Sequence, residues 1–228
     1  MLRISKYATG MLETNVYFCF DTDTRECVII DPADNADHII NIIDNELEVQ
    51  PVVILLTHAH FDHMTAAGEV AKHYGIRIYV NALDSEFMAD ANRNLSNRFT
   101  FPVTYSRDDY DTFNDGDTLE LIDREWKVLG TPGHTPGSTC FYIEDGLKYI
   151  PNGASEEHVC PVLFSGDTLF RGSHGRTDFP GGSQRAISES IREKLLVLPE
   201  ETSVFSGHGP QTSIGIEKRY NPVARGIL

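Results

Sequence analysis

Positive charge is scarce in this sequence of 228 residues. Lysine and arginine together number 19 against 34 aspartate and glutamate residues, which leaves a formal net charge of -15. A protein that binds nucleic acid normally presents a basic face, so this charge balance argues against a nucleic-acid partner. The acidity itself is explained by solubility.

Long apolar runs are also lacking. No stretch approaches the roughly 20 residues that cross a bilayer, and residues 1–6 lack the apolar core of a secretion signal. The four cysteines, Cys19, Cys27, Cys140 and Cys160, show no CxxC spacing and are expected to be reduced. These absences predict a cytoplasmic protein without a membrane partner, while the oligomeric state is left open.

Histidine, in contrast, is concentrated in one place. His58, His60 and His63, together with Asp62, lie within six residues directly after the apolar run 52–56. That run is rich in β-branched residues and bounded by proline, which predicts a buried strand. The motif HxHxDH therefore occupies the loop at the C-terminal end of a strand, where α/β folds place their chemistry. Neutral imidazole and carboxylate suit zinc, iron or manganese, so the motif predicts a metal site.

Three further candidate ligands follow short apolar runs and have glycine beside them: His134, Asp167 and His208. Glycine allows close approach of the backbone at such turns. Taken singly, each candidate could also be an ordinary turn residue, although this is the less favoured interpretation. Four such motifs in one chain predict that the additional residues complete the ligand set that one loop leaves unfinished.

The ordered set of HxHxDH, His134, Asp167 and His208 resembles the metallo-β-lactamase superfamily of binuclear metal hydrolases. Within it, residues 166–170, 175–179 and 207–210 resemble the glyoxalase II-like branch, the hydroxyacylglutathione hydrolases, and especially its short single-domain members. The resemblance extends over nearly the whole chain. It implies an α/β (α+β) fold, a four-layer αββα sandwich of the metallo-β-lactamase type, formed as a single domain by residues 1–228.

The resemblance also implies two divalent metal ions, with zinc expected and iron or manganese as alternatives. The implied ligands are His58, His60 and His134 on one ion, Asp62, His63 and His208 on the other, and Asp167 as a bridge between the two. Asp31, at the end of the apolar segment 28–30, matches an aspartate that braces the HxHxDH loop.

The function implied by the resemblance is hydrolysis of a small-molecule thioester, S-(2-hydroxyacyl)glutathione. A hydroxide that bridges the two metals would attack the carbonyl carbon, with Asp62 as the general base. A thiolate leaves without a strong general acid, so thioester cleavage suits this ligand set. Arg171 and Arg176 are candidates for binding an anionic substrate, although surface salt bridges explain each of them at least as well.

Several other functions occur on similar motifs. The persulfide dioxygenases share HxHxDH and a stretch like residues 176–179, but resemble mononuclear iron enzymes that use the equivalents of His58, His134 and Asp167. The β-lactamases of the superfamily usually carry cysteine or serine where this chain has Asp167. A binding module without catalysis is disfavoured because all seven ligand positions are intact.

The remaining pattern is consistent with a sandwich of strands and helices. Strands are predicted near residues 2–8, 15–20, 26–30, 52–56, 76–80, 119–122, 126–130, 139–143, 161–165 and 203–206, and helices near residues 39–47, 64–74, 84–94 and 187–198. The helix near residues 64–74 is predicted to end at Gly75. Residues 145–161 are longer than a tight hairpin requires. They are interpreted as either a lid or a surface loop.

Overall fold

The structure, a computed structural model, describes residues 2–149 and 158–227. The chain divides into two compact units, Met1–Phe113 and Asn114–Leu228. Among the described residues, no helix is both long and apolar enough to cross a membrane.

The first unit contains a mixed six-stranded sheet. Its strands, in sheet order, are β1 (Leu2–Thr9), β2 (Thr14–Asp21), β3 (Glu26–Ile30), β4 (Gln50–Leu55), β5 (Arg77–Asn81) and β6 (Tyr110–Phe113). The first three strands pair antiparallel, and β3 to β6 pair parallel. Parallel strands covered on both faces have nearly continuous apolar sequences, which explains the run of valine, isoleucine and leucine in β4.

The helices of the first unit are short. They are α1 (Ala36–Asn41), which continues as a π-helical segment (Ile42–Leu47), α2 (Phe61–Met64), α3 (Ala67–Tyr74), α4 (Ser85–Ala89) and α5 (Ser96–Phe99), with a 3₁₀ turn at Ala82–Asp84. The α3 helix ends at Gly75, whose φ of 68° gives the left-handed C-terminal geometry that the sequence predicts. Buried residues such as Phe18, Ile29, Ile39 and Val70 belong to one apolar core.

The helix predicted near residues 84–94 is shorter in the structure. The α4 helix ends at Ala89, and the side chain of Asp90 then accepts hydrogen bonds from the backbone N–H groups of Asn92, at 2.8 Å, and Arg93, at 3.4 Å. An aspartate that binds the following backbone in this way favours a turn over a further helical turn. The prediction was therefore wrong for residues 90–94.

The second unit contains another six-stranded sheet, with β10 and β13 parallel and its other neighbouring strands antiparallel. Its strands are β7 (Thr118–Leu121), β8 (Arg124–Gly130), β9 (Thr139–Tyr149), β10 (His158–Gly166), β13 (Ser203–Ser206) and β14 (Thr212–Ser213), with a separate hairpin of β11 (Leu169–Phe170) and β12 (Ser173–His174). Its helices are α6 (Gln184–Ser190), which continues as a π-helical segment (Ile191–Leu195), and α7 (Ile214–Tyr220).

The hairpin of β9 and β10 is longer than predicted. The sequence places the strand ends near residues 143 and 161, but pairing continues to Tyr149 and begins at His158. The register shifts between Cys160 and Val162, and the two strands pair on both sides of this irregularity. Polar residues give little signal for such an extension, because strand propensity mostly reflects side-chain packing. The remaining part of the proposed lid, residues 150–157, lies outside the described residues.

All four cysteines are free and buried, as their expected reduced state requires. Burial raises the pKa of the Cys140 thiol to about 11, so this thiol stays protonated near neutral pH. The cysteines therefore have the properties of apolar core residues.

Candidate metal centre

The HxHxDH motif forms a buried corner of the first unit. The β4 strand ends at Leu55, the chain bends at Thr57 and His58, and α2 begins at Phe61 directly after the extended residue His60. His58, His60 and His63 are at most 2% exposed. The ligand atoms of His58 and His60 lie within 4.8 Å of one another, and His63 Nε2 lies 3.5 Å from Asp62 Oδ2. Two ligands of one tetrahedral metal are about 3.4 Å apart, so these separations are compatible with metal binding.

Asp31 contacts this corner from the end of β3. Its Oδ1 accepts a hydrogen bond from the backbone N–H of Thr57 at 2.8 Å, and its Oδ2 accepts one from Thr57 Oγ1 at 2.7 Å. The same Oδ2 lies 2.9 Å from His63 Nδ1. A carboxylate on Nδ1 holds the imidazole so that Nε2 is the nitrogen that would bind a metal.

Two contacts of this corner are missing from the sequence-based prediction. Asp84, which is fully buried, accepts a hydrogen bond from the backbone N–H of Ala59 at 3.0 Å. Thr14 donates from Oγ1 to Asp62 Oδ2 at 3.0 Å. Neither residue belongs to a recognisable motif, because an aspartate after a strand or a threonine in a strand is common. The Asp84 carboxylate positions the backbone between two histidines, and Thr14 orients the Asp62 carboxylate.

The second unit brings His134, Asp167 and His208 together. Asp167 Oδ2 lies 3.6 Å from His134 Nε2 and 3.5 Å from His208 Nε2. His134 Nδ1 lies 2.7 Å from the backbone carbonyl oxygen of Arg176, which accepts its hydrogen bond when Nδ1 is protonated. This tautomer again leaves Nε2 as the metal-binding nitrogen. One carboxylate oxygen within about 3.6 Å of two imidazole nitrogens suits a divalent cation.

Two glycines of the second unit allow close backbone packing at these ligands. At Gly133, where φ is 137°, a Cβ would lie 2.3 Å from the backbone nitrogen of Ile187. At Gly175, a Cβ would lie 1.8 Å from the carbonyl oxygen of Asp167. Both residues must therefore be glycine for His134 and Asp167 to keep their observed backbone positions.

We expect Gly175→Ala to lower the metal content and to destabilise the protein by about 1–3 kcal/mol, because the added methyl group displaces the Asp167 backbone. Gly172→Ala is the matched control. Its Cβ meets nothing within 4 Å and its φ is 69°, so it should cost about 1–2 kcal/mol from backbone strain and leave metal binding intact. Metal analysis and urea unfolding of both variants test these expectations. Equal metal content in the two variants would contradict the expected effect of Gly175→Ala.

The two arginines proposed to bind substrate have different surroundings. Arg176 is 57% exposed, donates two hydrogen bonds to Asp178, at 2.7 and 2.6 Å, and lies 4.0 Å above the ring of Phe179. Arg171 is exposed between β11 and β12. The contact of Arg176 with a candidate ligand is made by its backbone carbonyl, and a role of either guanidinium in substrate binding stays a prediction.

Comparison with known proteins identifies the family. A sequence profile described as the Metallo-beta-lactamase superfamily matches residues 9–146 and 153–208. The chain belongs to this superfamily.

Two curated relatives are similar over most of their length. The probable metallo-hydrolase YqgX of Bacillus subtilis is 38% identical, with 96% of this chain and 95% of the relative covered. The hydroxyacylglutathione hydrolase GloC of Haemophilus influenzae is 37% identical, with 88% of both chains covered. These relatives support a metal-dependent hydrolase.

Two solved structures agree with this assignment. BLEG-1, described as a B3 metallo-beta-lactamase, superposes with a TM-score of 0.83 at 37% identity, covering 97% of this chain and 99% of that one. TTHA1623 in a di-iron-bound form gives a TM-score of 0.76 at 33% identity, covering 96% and 98%. The chain therefore has the metallo-β-lactamase fold, and the predicted αββα class is confirmed.

Proposed function

We propose that these histidines and aspartates hold two divalent metal ions. The proposed ligands are His58, His60 and His134 on one ion, Asp62, His63 and His208 on the other, and Asp167 on both. The donors are imidazoles and carboxylates, most of them buried, and they fit zinc, iron or manganese. Zinc is the expected metal, and the di-iron form of the related structure makes iron the first alternative to test.

The proposed reaction is hydrolysis of S-(2-hydroxyacyl)glutathione. The similarity to GloC over 88% of both chains, combined with a carboxylate at position 167, carries this proposal. Two bound metal ions would supply a water of lowered pKa and a Lewis acid for the carbonyl group.

The residues of the chain would supply positioning and proton transfer. The hydrogen bond from Thr14 to Asp62 Oδ2 orients the Asp62 carboxylate, which would accept the proton of the attacking water. Asp31 would hold the His63 ring in its metal-binding orientation. The thiolate would leave without protonation by a general acid.

A second candidate function is hydrolysis of β-lactams, which is favoured by the 37% identity to BLEG-1. Both reactions cleave a bond at a carbonyl carbon, to sulfur in a thioester and to nitrogen in a β-lactam. The same metal ligands could therefore support either reaction. The carboxylate at position 167, where β-lactamases of the superfamily usually carry cysteine or serine, favours the thioesterase.

The test uses three substrates with the purified, metal-loaded protein. We expect hydrolysis of S-lactoylglutathione without oxygen uptake, and a much lower rate with a chromogenic cephalosporin. Faster cleavage of the cephalosporin would establish the β-lactamase instead. Rapid oxygen uptake with glutathione persulfide by an iron-loaded sample, without thioester cleavage, would establish a persulfide dioxygenase.

A further inference from the structure

A cavity of about 250 Å³ lies in the first unit beside Asp62. Its walls come from the turn between β1 and β2, the residues after β3, the α2 helix and the segment after α5. Asp62, the proposed metal ligand and general base, is part of the wall. A group bound in this cavity would therefore contact a residue of the proposed reaction. The cavity is smaller than a typical pocket of 300–1,000 Å³, so it suits one part of a substrate.

The lining of this cavity combines apolar side chains, two carboxylates and four threonines. The apolar surface comes from Met11, Leu12 and Phe101, together with Ala33 and Phe61. Among the lining residues that the structure describes, none is lysine, arginine or histidine. The charged lining residues are the carboxylates of Asp34 and Asp62. An anion placed here would lose hydration and be repelled by Asp34, the carboxylate that is not a proposed metal ligand, whereas an uncharged apolar group would gain contact area.

Two of the apolar side chains that line the cavity are exposed. Met11 is 68% exposed and Phe101 is 67% exposed, and both line the cavity. Exposed apolar side chains grouped around a cavity mark a binding surface. Methionine is flexible and polarizable, so Met11 can adapt to acyl groups of different shape.

We propose that this cavity binds the acyl part of the substrate and selects apolar, uncharged acyl groups larger than lactoyl. The anionic glutathione part is excluded from it and binds elsewhere. This inference rests on the proposed thioesterase function and assigns it a substrate class, the 2-hydroxyacyl thioesters with an alkyl or aryl side chain.

The test compares substrates that share one leaving group. S-lactoylglutathione, S-2-hydroxyhexanoylglutathione and S-mandeloylglutathione differ only in the acyl side chain. We expect kcat/KM for the two larger substrates to exceed that for the lactoyl thioester roughly tenfold or more, since each buried methylene adds to binding. Equal or lower values for the larger substrates would overturn the inference and leave the proposed function standing.

Substitutions in the cavity provide the second arm. Met11→Ala combined with Phe101→Ala should reduce the ratio of kcat/KM between the larger and the lactoyl thioesters to within about threefold of unity. Val197→Ala combined with Tyr220→Ala is the matched control, because both residues are 67% exposed and lie in the other unit. It should retain the full preference. A preference unchanged in the cavity variant would contradict the assignment.

A binding measurement separates failure of the inference from failure of the proposed function. With ¹³C-methyl-labelled methionine, the uncharged probe 2-hydroxyhexanamide should shift the Met11 signal saturably, and glutathione should not. The signal of Met88, which is fully buried and does not line the cavity, is the internal reference. If no thioester is cleaved, the proposed function fails, and a Met11 shift with the amide still supports an acyl-type cavity. A shift with glutathione and none with the amide would overturn the inference.

Discussion

Replacing Asp167 with alanine is expected to lower the bound metal from about two ions per chain to about one or fewer, because the proposed pair of cations loses its shared ligand. A carboxylate has two oxygens that can bind two cations, and alanine offers neither. Asp167 Oδ2 also lies within 3.6 Å of both His134 and His208, so its loss leaves these imidazoles without their neighbouring negative charge. The activity should fall by at least two to three orders of magnitude, roughly the cost of losing a principal stabiliser of the transition state.

Asp178→Ala is the control for the loss of a carboxylate in the same unit. Asp178 is 65% exposed and paired with Arg176, so its substitution should change stability by about 1 kcal/mol or less and leave the metal content unchanged. Metal analysis, kcat/KM and thermal unfolding are compared for the two variants. Wild-type protein that is fully active with one metal ion per chain would refute the two-metal proposal.

Asp31→Ala is expected to produce the largest loss of stability, about 3–5 kcal/mol. The substitution removes the acceptor of both hydrogen bonds from Thr57 and the carboxylate beside His63, at a site where Asp31 is 1% exposed. Alanine also fits poorly at the φ of 51° that Asp31 adopts. Metal affinity should also fall, by about 10–100-fold, because the His63 ring loses the group that orients it.

The substitution Asp31→Asn separates the effect on stability from the effect on metal affinity. Asparagine tolerates a positive φ and keeps one side-chain oxygen as an acceptor, so it should retain more stability than alanine. It lacks the negative charge beside His63, and we therefore expect metal affinity to remain reduced. Urea unfolding and competition with a metal chelator measure the two quantities independently. Equal metal affinity in the wild type and both variants would show that Asp31 serves the fold alone.

The part of the site that sequence could predict consists of local patterns. HxHxDH follows an apolar strand, and His134, Asp167 and His208 follow other apolar runs, so each candidate could be assigned to a loop from its immediate neighbours. The end of α3 at Gly75 was predicted for the same reason, since glycine in this position is a local signal. The end of α4 at Ala89 was missed, because the side chain of Asp90 competes with the helix.

The sequence by itself determined the type of donor at each candidate metal ligand and the class of fold that presents them, since both follow from residue chemistry and short-range periodicity. Only the tertiary structure decided which side chains hold those donors in place. Asp84 contacts Ala59 across 25 positions of the chain, and Thr14 contacts Asp62 across 48. The apolar cavity beside Asp62 likewise combines segments that are separate in the sequence. Such contacts depend on how strands and loops pack in three dimensions, and a single aspartate, threonine or methionine carries no local pattern that predicts its distant partner.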